Sequence, residues 1–311
     1  MAGLRCRRVR RRAARVRQPD AAVRTLSGAA PITEGVLRQR TLSAVLLIPP
    51  LAIALLLGGP WIVIVVAAAT AVAAWETFDL LGAAGYPSLS WLGVVFAVAI
   101  VLDPAVGPEV DPSGMLLLAI GSILAAIGAF TRPDPREGLP TWFATVFGAI
   151  YASFLGFIIR LGHEAPALPA GAPLAGLGAE RGWIVLLVLG VWAYDTGAYF
   201  IGKRFGRRRF LTHISPSKTY AGLIGGIVAA TVVVGAVLNG LGQPPVGALV
   251  LGPLLSLAAQ AGDLAESMLK RAAGAKDSGR LIPGHGGILD RVDSFLFAAP
   301  VVTLYVIAAF H

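Results

Sequence analysis

The chain has 311 residues, of which 56% are apolar and 14% charged, with a mean hydropathy of +0.75. Apolar runs of roughly 20 residues recur along it, the length that crosses a hydrocarbon core of about 30 Å, and they lack the charged face of a helix in a large water-soluble protein. A soluble domain is excluded, and the composition points to an all-α polytopic membrane protein.

The net charge of +9 invites a nucleic-acid reading that its distribution removes. Residues 1–40 hold eleven of the 26 Lys and Arg but two of the 17 acids, Asp20 and Glu34, which leaves 15 basic and 15 acidic residues from 41 to 311. The basicity belongs to residues 1–36, an Arg-rich tail too poor in apolar residues to fold alone and expected to be disordered. Its role is to keep the N-terminus in the cytoplasm, against anionic headgroups. No stacking aromatics are interleaved with its arginines, so no nucleic-acid partner is expected. A twin-arginine export signal is disfavoured, because no small-residue cleavage site closes the first apolar run. The single cysteine, Cys6, excludes an internal disulfide.

Nine spans follow, at about 42–57, 61–81, 89–103, 114–130, 141–161, 182–202, 220–242, 246–262 and 291–310. Some are short or interrupted by proline ("LLIPPLA"), which leaves room for a re-entrant segment. Residues 37–181 form an N-terminal group of transmembrane helices whose loops look like simple connections. Residues 182–311 form a second transmembrane region whose cytoplasmic loops look like equipment rather than connections, so that any catalytic site is expected there, on the cytoplasmic face. The loop "KRFGRRRFLTHISPSKT" carries six basic residues and no acid, whereas "DPAVGPEVDP", on the opposite side, is purely acidic. Lys and Arg collecting on one side predict a cytoplasmic N-terminus and an outside C-terminus.

Candidate chemistry begins in span six, where Asp195 lies in "WAYDTGAYF"; a carboxylate inside a span is a functional hypothesis by default. Glu76 and Asp79 in span two qualify on the same ground, although they lie nearer a helix end, where an interfacial role is the alternative. In the loop after span six, "ISPSKT" offers the hydroxyls of Ser215, Ser217 and Thr219 and the point charge of Lys218 for a phosphate. In "QAGDLAESMLKR", a helix continuing past span eight puts Asp263, Glu266 and Lys270 on one face. Two carboxylates one turn apart suit Mg²⁺ beside waters and phosphates; a solvated helix end with a Glu266–Lys270 pair is the bland alternative. In "HGGILDRVDS", Asp290 and Asp293 repeat the spacing at the start of the last span, where acids also favour the helix N-terminus. If the two helices pack together, four acids converge and need cations. Lys270, Arg271, Lys276, Arg280 and Arg291 supply some, and a divalent metal would supply more. Gly284, Gly286 and Gly287 around His285 suit a backbone that approaches a phosphate or adopts positive φ.

From Ser267 to Asp293, "SMLKRAAGAKDSGRLIPGHGGILDRVD" resembles the signature of the phosphatidate cytidylyltransferase (CDP-diacylglycerol synthase) family: a Ser, a Lys-Arg pair, a Lys-Asp pair, a Pro-x-His-Gly-Gly turn and an Asp-Arg-x-Asp ending. "DTGAYFIGKRFG" and "ISPSKT" are similar to that family too. The resemblance implies CMP transfer from CTP to phosphatidic acid in phospholipid biosynthesis, with Mg²⁺ and room for a second cation, in the inner (plasma) membrane, by an enzyme that pairs as a homodimer. It adds Asp277 to the site. On this reading Asp263 and Asp290, then Glu266 and Asp293, hold the metal. Lys270, Arg271, Lys276 and Arg291 hold CTP phosphates, and Ser217 and Lys218 the lipid phosphate or triphosphate. His285, Gly286 and Gly287 shape the turn, and Asp195 orients a basic group.

One departure stands out: after "SPSKT" the family has an aromatic, then Glu, then Gly, and this chain reads "YAG", with Ala221 in the acid's place. A CDP-alcohol phosphotransferase is disfavoured because its Asp-Gly-x-x-Ala-Arg run is missing. A phosphometabolite transporter is disfavoured because most charges sit at one interface rather than at midplane. A chain starting at Leu37 is expected to keep full turnover; a collapse would show that the Arg-rich tail does more than orient the protein.

Overall fold

The computed structural model describes residues 52–106, 113–279 and 286–310. The Arg-rich tail, most of the first expected span and His285 lie outside the described residues. Nine helices are seen among the rest: α1 (Pro60–Ala83), α2 (Ser90–Leu102), α3 (Ser113–Ala129), α4 (Pro135–Ser153), α5 (Phe157–His163), α6 (Ala179–Phe205), α7 (Tyr220–Gly240), α8 (Ala248–Ala272) and α9 (Leu289–Phe310). Residues 52–57 are helical ahead of them. No strand occurs among the described residues; an isolated antiparallel bridge pairs Arg209 with Thr219. Six helical stretches are long and apolar enough to cross a membrane: α1, α4 with α5, α6, α7, α8 with its preceding turn, and α9. The stretches Ser90–Ala105 and Gly114–Ala129 are shorter.

Large apolar side chains such as Trp91, Met115 and Phe130 lie on the outside. In lipid that is their proper place, so packing between the helices rests on close approach rather than on expulsion from water. Glycines provide it. Phe78 of α1 seats its ring where a Cβ at Gly93 of α2 or Gly148 of α4 would stand. Between α6 and α7, a Cβ on Gly226 would come 2.6 Å from the Tyr194 ring, and one on Gly197 would come 2.6 Å from the Ala229 side chain. Between α8 and α9, a Cβ on Gly262 would collide with the carbonyl oxygen of Asp293.

Two expectations shift at their edges. The fifth span was expected from 141, but α4 starts at Pro135, because Asp134 accepts the Arg136 amide at 2.8 Å and Pro135 fits the first helical position. That span is also not one helix: a 3₁₀ turn at Phe154–Gly156 separates α4 from α5, and Gly156 faces the Val101 backbone. Inside the bundle, hydroxyls fold back on their own helices, as with Thr70 on the Val66 carbonyl (2.8 Å) and Ser256 on Gly252 (2.7 Å). No water is needed to satisfy them.

The loop 206–219 and the described parts of loop 273–288 (residues 273–279 and 286–288) meet at one end of the bundle, where Arg271 at the end of α8 donates to the Ile214 carbonyl at 3.4 Å. At the other end, Arg181 donates to the Leu56 carbonyl at 3.0 Å. Gly226→Ala is expected to cost about 1–3 kcal/mol by overpacking against Tyr194, read as a lower melting midpoint in detergent. An unchanged midpoint would show that α6 and α7 separate cheaply.

Candidate active site

Carboxylates from two adjacent helices converge near the loop-bearing end. Asp263 and Glu266 project from α8 and Asp293 from α9, and oxygens of the three lie within 4.8 Å of one another. The i, i+3 spacing turns Asp263 and Glu266 to the same side of α8. Gly262, with no side chain, lets the α9 backbone come down on α8 at Asp293.

Two lysines stand against this cluster. Lys218, from the loop before α7, pairs with Asp263. Lys270, one turn beyond Glu266, sits 2.5 Å from it and 2.6 Å from Asp290 of α9. Its side chain is only 12% exposed, and that of Glu266 is fully buried. Among the described residues Glu266 Oε1 meets no hydrogen-bond donor, and the one cation paired with its Oε2 is Lys270. A buried carboxylate short of donors, beside two more carboxylates, is a set of hard oxygen ligands that suits a small divalent cation such as Mg²⁺.

Asp290 is placed differently. Its Oδ2 accepts the backbone amides of Ser278 (2.8 Å) and Gly287 (2.9 Å) and the Ser278 hydroxyl (2.9 Å), while Oδ1 faces Lys270. Its Oδ2 holds the loop and its Oδ1 pairs with Lys270, and the convergent trio among the described residues is Asp263, Glu266 and Asp293. The glycines of the turn have an equally definite use. Gly286 has φ +78°, and a side chain there would strike the Asp290 carboxylate; at Gly287 it would strike Glu76 and Ser278. The backbone does approach anions closely here, and in the described structure they are the protein's own carboxylates.

The remaining candidates spread around this centre. Asp195 on α6 feels chiefly the charges of Lys218 and Asp263. Ser217, Lys276, Asp277 and Arg291 are exposed at the loop-bearing end. Arg271 also donates to the Ala275 carbonyl at 3.1 Å, so it ties the two loops together. Ala221, where an acid was expected, lines an apolar groove between α6 and α7 with Trp192, Phe200, Phe205 and Ile224. The convergent acids are complete without a carboxylate at 221.

Two contributors, Gln260 and Tyr194, escaped the sequence reading, and a third, Glu76, was left between a functional and an interfacial role. Gln260 donates to Asp263 at 3.5 Å, and its own oxygen accepts the Tyr194 hydroxyl at 2.7 Å, so α6 orients an α8 acid through a glutamine. A glutamine and a tyrosine inside apolar spans were the available signal, since polar groups there need each other. Glu76 is 5% exposed and accepts hydrogen bonds from Ser278, Ile288 and Leu289.

The sequence model of the cytidylyltransferase family matches residues 38–309. A phosphatidate cytidylyltransferase of Synechocystis sp. is 35% identical over 291 residues, spanning 86% of this chain and 96% of the relative. One from Brucella suis is 49% identical over 222 residues, or 70% of this chain and 71% of its own. The chloroplastic phosphatidate cytidylyltransferase 5 of Arabidopsis thaliana is 34% identical over 272 residues, 81% and 67% of the two chains.

Lys270→Met would leave Glu266 and Asp290 without their shared cation. Breaking a buried charge set costs about 3–5 kcal/mol, so the variant is expected to melt well below the wild type. A melting point within error of wild type would mean that the two acids do not depend on Lys270.

Proposed function

Because the chain belongs to the cytidylyltransferase family, we propose that it transfers CMP from CTP to phosphatidic acid, releasing pyrophosphate and leaving CDP-diacylglycerol in the membrane. The observation that carries this reading, beside the family, is the meeting of Asp263, Glu266 and Asp293 with Lys218 and Lys270 at the end of the bundle where the charged loops lie. A lipid phosphate can come to such a place from the side and a nucleotide from water.

The chemistry asks for little covalent help. An oxygen of the lipid phosphate attacks the α-phosphorus of CTP, the bond from that phosphorus to the bridging oxygen breaks, and pyrophosphate leaves with the electron pair. The phosphate monoester is already an anion, so no enzyme nucleophile is required. What the protein must supply is alignment of two anions and a field that tolerates the charge on the leaving group. Mg²⁺, held by Asp263, Glu266 and Asp293, would supply neutralisation of the triphosphate when bound.

The protein's own groups divide the rest. Arg271, Lys276 and Arg291 border the site from the end of α8, the loop after it and the first turn of α9, and take the CTP phosphates. Ser217 and Lys218 come from the other loop and take the lipid phosphate; Lys218 moves from Asp263 to do so. Lys270 stays between Glu266 and Asp290, a fixed cation that keeps α8 and α9 in register. Gln260 aims Asp263, and Asp195 steadies Lys218. Asp277 lies at the turn, where the Asp277 Cβ stands 3.3 Å from where a Gly286 side chain would begin.

The chain is a multi-pass membrane protein. An orientation with loops 206–219 and 273–288 in the cytoplasm would put six basic residues of "KRFGRRRFLTHISPSKT" on the side where positive charge is retained and CTP is found. The C-terminus of α9 would then lie outside, in the inner (plasma) membrane, and a second copy would pack beside the first.

The test is CTP-dependent conversion of phosphatidic acid to CDP-diacylglycerol by purified protein in detergent, with and without Mg²⁺. Product is expected only with the metal, and Asp263→Asn and Asp293→Asn are each expected to cost at least about 100-fold in kcat/KM. Wild type that is folded and yields no product would overturn the reading. Equal activity of both variants would detach the acid trio from the reaction.

A further inference from the structure

Glu76 has no part in the reaction as outlined, and its surroundings are built for it. It belongs to the second half of α1, far in sequence from the signature, yet its carboxylate reaches the catalytic hairpin. Oε1 accepts the Ile288 amide at 3.1 Å, and Oε2 accepts the Leu289 amide at 2.8 Å and the Ser278 hydroxyl at 3.0 Å. A Cβ at either Gly279 or Gly287 would run into this same carboxylate. Two glycines of the loop are therefore glycines because Glu76 occupies the space beside them.

The amides it binds are those at the start of α9, where the first N–H groups have no partner within the helix and the helix dipole favours a negative charge. A helix is ordinarily capped by a side chain next to it in sequence. Here that service comes from α1, 212 and 213 residues away. The Ser278 hydroxyl joins the parts: it lies 3.0 Å from Glu76 Oε2 and 2.9 Å from Asp290 Oδ2, and it accepts the Asp290 amide at 3.3 Å. α1, loop 273–288 and the first turn of α9 are thus held in one knot, and Asp290 passes it on to Lys270.

We propose that Glu76 is a positioning residue for the nucleotide: it fixes the loop and helix start that carry Lys276 and Arg291, and through them the seat of the triphosphate. This rests on the assignment of those residues to CTP made above. The lipid side of the site comes from loop 206–219, to which Glu76 makes none of its hydrogen bonds. Loss of Glu76 should therefore touch one substrate and spare the other, which a general weakening of the bundle would not do.

The experiment compares wild type, Glu76→Ala, Glu76→Gln and Ser278→Ala as full-length protein in detergent. Glu76→Ala is expected to raise KM for CTP by about 10-fold or more, with KM for phosphatidic acid within about 2-fold of wild type. Glu76→Gln keeps one oxygen acceptor and is expected to recover part of the loss; Ser278→Ala should show the same CTP-selective rise, smaller in size. A second arm needs no substrate: backbone amide exchange at residues 276–279 and 286–290 should speed up in Glu76→Ala while α6 and α7 exchange as in wild type. The proposal is overturned if CTP KM and local exchange are unchanged, or if both KM values and exchange throughout the bundle rise together. If Glu76→Ala does not fold, wild-type CTP KM in both other variants overturns it. Wild type without turnover would defeat the functional reading alone, and the exchange arm would still decide whether Glu76 anchors the loop.

Discussion

Lys270 between Glu266 and Asp290 is the contact on which the packing of α8 against α9 depends. A charge taken out of water into a helical bundle is tolerated only where opposite charge and hydrogen bonds replace what water gave. One ammonium group satisfies an acid on its own helix and an acid on the next, so α8 and α9 are joined by charge as well as by packing. Gly262 sets their spacing, since the Asp293 backbone rests where its side chain would be. With the helices fixed in this way, Asp263, Glu266 and Asp293 have no freedom to spread apart, although like charges favour doing so.

The polar groups of the site form two linked sets. One runs from Tyr194 through Gln260 to Asp263 and Lys218, and crosses from α6 to α8 to the loop before α7. The other runs from Glu76 through Ser278 to Asp290 and Lys270, and crosses from α1 to the second loop to α9 and α8. They meet at the acid trio, each bringing one lysine to it. The two sets draw on different loops, 206–219 for the first and the loop after α8 for the second.

Much of the helical layout was legible because lipid imposes a simple rule: long apolar runs must be helices, and the runs are visible in the sequence. The edges were less legible. The fifth span was expected from 141, but Asp134 and Pro135 start α4 six residues earlier, with "PREGLP". The break at Phe154–Gly156 depends on Gly156 meeting Val101, a contact that no local pattern encodes. In the site, the i, i+3 pairs of acids were readable, as was their convergence if α8 and α9 packed together. Spacing could not tell Asp290 from Asp293. The difference lies in donors on the preceding loop, Ser278 and Gly287, which saturate the first and leave the second to face α8. Glu76 and Tyr194 could be placed only by three-dimensional contact, since their partners lie 202 and 66 residues away.

The reach of Glu76 also bears on how the protein is made. Ribosomes add about 5–20 residues per second, so the 213 residues between Glu76 and Leu289 amount to roughly 10–40 seconds of translation. During that interval α1 has left the ribosome while the amides that will receive its carboxylate do not yet exist. Glu76 lies seven residues from the end of α1 at Ala83, about 10 Å along the axis, close enough to the aqueous side for its charge to wait there. Assembly then ends on a polar event, the arrival of the last helix with its open N-terminus.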